Sequence, residues 1–274
     1  MTYKLMALDL DDTLLREDLT ISRKTRAALL RAQKRGMKLV LISGRPTEAI
    51  WTYARQLKLD EHGGFIVSFN GAVAVDCTTG ETLFEQTLSC EHIHELFDLS
   101  VGNNLYIHSY LDERIVTPKM NPYTAIERQL TGMPVHEVPD FKAAMNRAAV
   151  KVILLEDPAV LKEHASRLAL VLGDRMNVCI TKPYFLECMA KGIDKQRCLA
   201  LLLDRLGIHP SQVIAVGDSY NDIGMIRFAG LGVCVANGRP EVQAVADYVT
   251  KSNMEDGVAA VVEKMVLKAG ARGR

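Results

Sequence analysis

Two carboxylates two positions apart, Asp9 and Asp11, follow the first apolar run of the chain, Leu5-Met6-Ala7-Leu8. A short apolar stretch ending in polar turn residues predicts a buried strand that delivers both groups to its C-terminal end. In an open parallel sheet, ligands bind at that edge. Carboxylates held so close repel one another, and a cation between them relieves the repulsion. The chemistry this suits is a Mg²⁺ site with a carboxylate nucleophile beside it.

Three further clusters fall at equivalent places. Ser43, followed by Gly44 and Arg45, ends the apolar run 37–42. Lys195 opens a predicted helix, and Gly217-Asp218-Ser219-Tyr220-Asn221-Asp222 follows a later strand. Strand C-termini and helix starts suit a phosphate and its Mg²⁺ better than an apolar ligand. Uncatalysed hydrolysis of a phosphate monoester is so slow that enhancements reach roughly 10²¹. Its transition state is loose, so positioning and electrostatics carry the catalysis. Mg²⁺, Lys195 and the Ser43 hydroxyl suit the equatorial oxygens, with Asp9 attacking in line. Asp11 is placed to protonate the leaving oxygen and then to activate water. Asp9 and Asp218 would raise the Asp11 pKa while Mg²⁺ and Lys195 oppose that. The residues leave open which prevails.

The elements that must position these groups come in two patterns. In the first, strands at 3–8, 37–42 and 65–69 alternate with helices. One helix starts after the N-cap Ser22 and stops near Gly36, and one has Pro46 in its first turn and runs to 57. Asn70-Gly71 marks a turn. Strand, loop and helix repeated imply a parallel sheet with right-handed crossovers. After residue 83 the pattern becomes α+β: helix 91–101, strands 105–110 and 114–117, helix 122–130, strand 135–138, helix 141–147, strand 150–155, helix 159–172. A hairpin of 176–181 and 184–189 around Lys182-Pro183 closes it. The first pattern resumes with a helix capped by Asp194 and stopped by Gly207, a strand at 213–216, a helix at 222–229 and a strand at 231–235. The fold class is therefore α/β, a doubly wound parallel sheet with a Rossmann-like core and an inserted α+β cap. The expected boundaries are 1–82 and 191–274 for the core and 83–190 for the cap.

Composition narrows the partners. With 274 residues, a hydrophobic fraction of 48% and formal net charge +0, the chain can build a sizeable core but carries no electrostatic footprint for nucleic acid or an anionic membrane. Cys77, Cys90, Cys179, Cys188, Cys198 and Cys234 include no CxxC pair and read as free thiols. No run reaches transmembrane length and the start is not a signal peptide, so a cytoplasmic protein is expected, a monomer or small homo-oligomer. The basic ending 268–274 reads as a frayed tail.

Together the motifs resemble those of the haloacid dehalogenase-like phosphohydrolases, over nearly the whole chain. D-x-D-x-T is Asp9-Leu10-Asp11-Asp12-Thr13, the strand-terminal Ser or Thr is Ser43, the Lys is Lys195, and G-D-x-x-N-D is Gly217 to Asp222. The resemblance implies Asp9 as nucleophile and Asp11 as acid/base, with Mg²⁺ held by Asp9, Asp218 and the Asp11 backbone carbonyl. It further implies that Asn221 supports the phosphate and Asp222 the metal shell. Ser43, Gly44, Arg45 and Lys195 would bind the substrate phosphate. The order of the insertion resembles the type IIB cap of the Cof branch, as do Asn70-Gly71-Ala72 and the run 252–258, and sugar-phosphate phosphatases are the nearest resemblance within it. Two departures stand out: Val235-Ala236-Asn237-Gly238 replaces the usual Met-Gly-Asn-Ala, and Asp194 replaces the commoner Ser before the Lys.

Blander readings compete for single residues. A Ser-Gly turn needs no function, a helical Lys is usually solvated, and Arg45 suits a surface ion pair as well as a ligand. His92 and His94 would not share a helix face, which disfavours a metal pair. Tyr106, His108, Tyr110 and Tyr184 lie on predicted cap strands, where packing is favoured over pocket lining. The expected activity is a Mg²⁺-dependent phosphatase acting on small phosphorylated metabolites, sugar phosphates foremost, through an aspartyl phosphate; the alternative is a phosphotransferase or phosphosugar mutase, which would give isomerised product in place of free phosphate. A phosphate-storing signalling domain is disfavoured by Asp11 and by the insertion, and a dinucleotide-binding module by the lack of GxGxxG.

Overall fold

The computed structural model describes residues 3–267, so the predicted tail at 268–274 lies outside the described residues. In chain order the strands are β1 (Leu5–Asp9), β2 (Lys38–Ile42), β3 (Phe65–Ser68), β4 (Val73–Asp76), β5 (Thr82–Glu85), β6 (Tyr106–Leu111), β7 (Arg114–Thr117), β8 (Val135–Glu137), β9 (Lys151–Leu155), β10 (Met176–Lys182), β11 (Phe185–Ala190), β12 (Val213–Gly217), β13 (Leu231–Cys234) and β14 (Tyr248–Val249). Contacts divide the chain into two compact units, the described parts of Met1–Phe84 with Asp194–Arg274, and Glu85–Ile193.

The first unit holds a sheet in the order β14-β13-β12-β1-β2-β3-β4-β5. From β14 to β3 neighbours are parallel. Parallel strands carry helices on both faces and so read as continuous apolar runs. Accordingly all five residues of β1 and all of β12 are buried. One side departs from the expected parallel sheet. β4 pairs antiparallel with β3, because the turn Phe69–Gly71, with Asn70 at φ +56°, reverses the chain directly after β3. Helix signals fall where the residues place them. The Ser22 side chain accepts from the Thr25 amide at 3.0 Å, and Gly207 ends Lys195–Leu206 at φ +62°. Pro46 is the N-cap of Thr47–Gln56 rather than a residue of its first turn.

The second unit is a six-stranded sheet in the order β10-β11-β9-β6-β7-β8, antiparallel except for β7 with β8. Side chains alternate across each strand. Val152, Leu154, Leu186 and Cys188 join Ile93 and Leu96 of Cys90–Gly102 and Leu161, Leu168 and Leu172 of Pro158–Leu172 in one apolar cluster. Burying each such Leu or Ile contributes roughly 1.5–3 kcal/mol. The expected helix 141–147 is shorter, Phe141–Ala144, because Met145 leaves the helical region at φ −91°, ψ 57°. His94 Nε2 lies 3.0 Å from the carbonyls of Lys142 and Met145, a local packing role. Tyr106, Tyr123 and Tyr184 form an aromatic group, with Tyr123 and Tyr184 stacked at 6.0 Å.

On the opposite register lie polar side chains that are nonetheless buried: His108, Tyr110, Lys151 and Glu187, with Thr124 and Glu127 from Pro122–Thr131. Lys151 Nζ pairs with Glu187 Oε1 at 2.9 Å, and the Tyr110 hydroxyl donates to Glu127. His108 Nδ1 is 3.0 Å from Thr124 Oγ1, while its Nε2 is buried with no protein partner. Burial, aided by the Lys151 charge, pushes the His108 imidazole down to about 3. A base whose folded pKa lies below its unfolded value of about 6.5 takes up its proton preferentially when unfolded, so its contribution is complete above that pH and disappears as pH falls towards 3. The stability advantage of the protein over His108→Gln is expected to shrink by on the order of 3–5 kcal/mol across that interval. Urea unfolding at a series of pH values reads it, and parallel pH profiles for the two proteins would refute it.

Candidate active site

Register brings three strand ends together. Leu8 pairs with Val216 and Asp9 with Ile42, so the chain leaves β1, β2 and β12 at one carboxyl edge. Asp9 to Asp11, Ser43 to Arg45 and the loop from Asp218 therefore emerge side by side. Lys195 arrives from a helix whose N-cap, Asp194, accepts from the Arg197 amide at 2.7 Å. Asp thus does the capping work of the more usual Ser. Gly71, at φ +107°, lies against that helix start. A Cβ there would sit 2.3 Å from the Asp194 carbonyl oxygen, so a side chain would push the helix start away.

Lys195 is buried and its Nζ donates to Asp9 Oδ1 and to Asp222 Oδ1, both at 2.6 Å. Burial alone would lower its pKa, but the facing charges of Asp9 and Asp222 prevail and raise it above the ordinary lysine value. It stays a cation. Asp222 Oδ2 in turn accepts from the amides of Asp218 and Ser219, each at 3.0 Å. Gly217 makes this possible, since a Cβ there would lie 2.5 Å from the Asp222 Cβ. Thr13 Oγ1 donates to Asp218 Oδ1 at 2.9 Å, tying the first motif to the last.

The result is excess negative charge in a dry place. Burial raises the Asp9 pKa well above the carboxylate range; Lys195 opposes, and the Asp222 and Asp218 charges add to the rise. Burial, with the Asp222 charge, pushes Asp218 up to about 6. Asp9, Asp218 and Asp222 each offer an oxygen within 4.8 Å of the others. Both Asp222 oxygens already accept hydrogen bonds, which leaves Asp9 and Asp218 as the carboxylates best able to hold a cation. Hard oxygen donors of this kind fit Mg²⁺, which takes one or two carboxylates and keeps its other positions for water and phosphate.

Ser43 is buried, and its Oγ accepts from the Arg45 amide at 3.1 Å, leaving the hydroxyl proton to donate. A Cβ on Gly44 would lie 3.0 Å from Asn70 Nδ2, and Asn221 Nδ2 donates to Asn70 Oδ1 at 3.0 Å. Asn70, legible only as part of a turn, thus joins the Ser43 and Asp218 loops. Asn237 Nδ2 donates to the Asp12 carbonyl at 2.7 Å, and its Oδ1 accepts from the Asn253 amide at 2.9 Å. The loop that departs from the usual Met-Gly-Asn-Ala therefore keeps its Asn as a brace for the Asp9 turn. Asp11 stands apart from the cluster. Arg45 donates to it through Nε at 2.9 Å and Nη2 at 2.5 Å, an ion pair in which the Arg45 side chain is mostly buried. The Asp11 side chain is 48% exposed, against 9% for Asp9.

A family model for haloacid dehalogenase-like hydrolases matches residues 6–262. This chain belongs to that family. It is a hydrolase of the phosphatase type, of the Cof branch. Bacillus subtilis YcsE, a 5-amino-6-(5-phospho-D-ribitylamino)uracil phosphatase, is 30% identical over 264 residues, 96% of each chain. The crystal structure of a haloacid dehalogenase-like hydrolase from Bacteroides thetaiotaomicron superposes with a TM-score of 0.92 at 39% identity, covering 96% of this chain and 99% of that one. The subclass IIB sugar phosphatase BT4131 shares the fold at a TM-score of 0.77 and 24% identity, over 95% of this chain and 98% of that one. Among the described residues of the hydrolase, no helix is long and apolar enough to cross a membrane.

Proposed function

We propose that the hydrolase is a Mg²⁺-dependent phosphomonoesterase for small phosphorylated metabolites, sugar phosphates foremost, working through an aspartyl phosphate on Asp9. The observation that carries this reading is the buried Lys195 ammonium bridging Asp9 and Asp222 at 2.6 Å beside Asp218. A carboxylate so buried, braced by a fixed cation and open to a second one, suits attack on phosphorus better than a structural role. The relatives add support for the substrate class, since YcsE acts on a phosphoribityl compound and BT4131 on sugar phosphates by their names.

An Asp9 oxygen attacks phosphorus as the bond to the ester oxygen breaks, and Asp11 gives that oxygen its proton. Asp11, now a carboxylate, takes a proton from water, which attacks the phosphorus and frees phosphate and Asp9. Lys195 and the Ser43 hydroxyl donate to the phosphoryl oxygens, and Gly44 and Asn221 shape the loops around them. Bound Mg²⁺, held by Asp9, Asp218 and the Asp11 carbonyl, would neutralise charge on those oxygens and on the carboxylates. Asp222 keeps Lys195 and the Asp218 loop in place.

Phosphate release from a panel of sugar phosphates is expected with Mg²⁺ and not with EDTA. Mg²⁺ should also raise the melting midpoint, and Asp218→Ala should remove that rise together with the activity. An Asp218→Ala protein that kept both would misplace the metal site. An isomerised sugar phosphate in place of free phosphate would mean a mutase instead.

A further inference from the structure

The Asp11 carboxylate sits on an exposed turn, with Asp11 itself extended and Asp12 at φ +57°. Left to itself, such a side chain would sample several rotamers. Proton transfer needs it held to within about 0.5 Å and 10–20°. Arg45 supplies the constraint. Its two bonds, Nε to Oδ2 and Nη2 to Oδ1, form a bidentate fork that fixes the plane of the carboxylate as well as its place. The fork is itself braced. Its side chain is mostly buried, its amide donates to Ser43 Oγ, and its guanidinium carbon lies 5.7 Å from the centre of the Tyr53 ring. Tyr53 is buried on the helix Thr47–Gln56.

We propose that Arg45, backed by Tyr53, is a positioning residue that aims the Asp11 carboxyl at the leaving-group oxygen and at the attacking water. The greater exposure of Asp11 than of Asp9 agrees with this, because the leaving group departs in line on the side away from the nucleophile. This inference rests on the phosphatase reading above.

The leaving group provides the test. A sugar alkoxide cannot depart without a proton, whereas p-nitrophenolate can. For Arg45→Met, single-turnover transfer of phosphate to Asp9 is expected to slow roughly 10²–10³-fold from a sugar phosphate, the scale of general acid–base catalysis, and about 10-fold or less from p-nitrophenyl phosphate, while hydrolysis of the aspartyl phosphate, common to both, slows equally. Arg45→Lys should recover only part of the loss, since an ammonium cannot form the fork. Tyr53→Leu should shift the ratio of the two substrates in the same direction by a smaller factor. Adding Arg45→Met to Asp11→Asn should cost the sugar phosphate little more. Circular dichroism and melting curves check folding, and Arg45→Met decides the matter if Tyr53→Leu does not fold. Equal losses in the phosphorylation step from both substrates, or a raised KM at unchanged kcat, would overturn the inference and make Arg45 a phosphate ligand. No Mg²⁺-dependent release of either product by the unmodified protein would instead overturn the phosphatase reading.

Discussion

Lys195→Met is expected to lower phosphate release by roughly 10³-fold and to destabilise the protein by about 3–5 kcal/mol at neutral pH. The two effects have one cause. Lys195 is the cation between two buried carboxylates, and its removal leaves Asp9 and Asp222 facing each other without compensation. Methionine fills the same volume, so lost packing is a small part of the change. The destabilisation should shrink as pH falls, because protonated carboxyls tolerate burial. Lys195→Arg should rescue little, since the site has no exposed room for a guanidinium. Urea unfolding beside an assay of phosphate release reads both quantities. A variant within about 1 kcal/mol and tenfold of the parent would show that the bridge matters to neither.

Asp9→Asn should separate the two effects, losing roughly 10⁴-fold or more of its activity while remaining folded. Asparagine matches the shape of aspartate and still offers an oxygen to Lys195, but it is no nucleophile towards phosphorus. It also removes the cost of burying a charge and the repulsion with Asp222 and Asp218, which together raise the Asp9 pKa, and this offsets the weakened bond to Lys195. Quenching the protein with a labelled substrate should trap phosphate on the parent chain and none on the variant. Label of equal amount on both would move the nucleophile elsewhere.

Much of the site was legible because it is written at places that local rules mark. Asp9, Ser43 and Asp218 each end an apolar run, and Lys195 follows an Asp that caps its helix. Their convergence followed from strands and helices alternating, which dictates a parallel sheet. Less legible was the cluster's internal accounting. For Asp222 the motif implies a supporting role without naming its partners, which are Lys195 on one oxygen and the Asp218 and Ser219 amides on the other. Asn70 and Asn237 showed no chemistry in the sequence, since their partners lie 151 and 225 positions away. The antiparallel strand β4 was also missed, although the Asn70-Gly71 turn that creates it was visible.

By itself, then, the order of residues determined the class of fold, the interruption by an α+β insertion and the set of side chains gathered at one sheet edge. Each depends on a short-range property: apolar periodicity, a cap, a turn residue or the spacing of a motif. Only the tertiary structure decided which charges touch. It placed Arg45 on Asp11, closed Lys195 on Asp9 and Asp222, and buried His108 without a partner for Nε2. Coulomb interaction and desolvation change steeply over a few ångströms, and segments far apart in sequence set those distances.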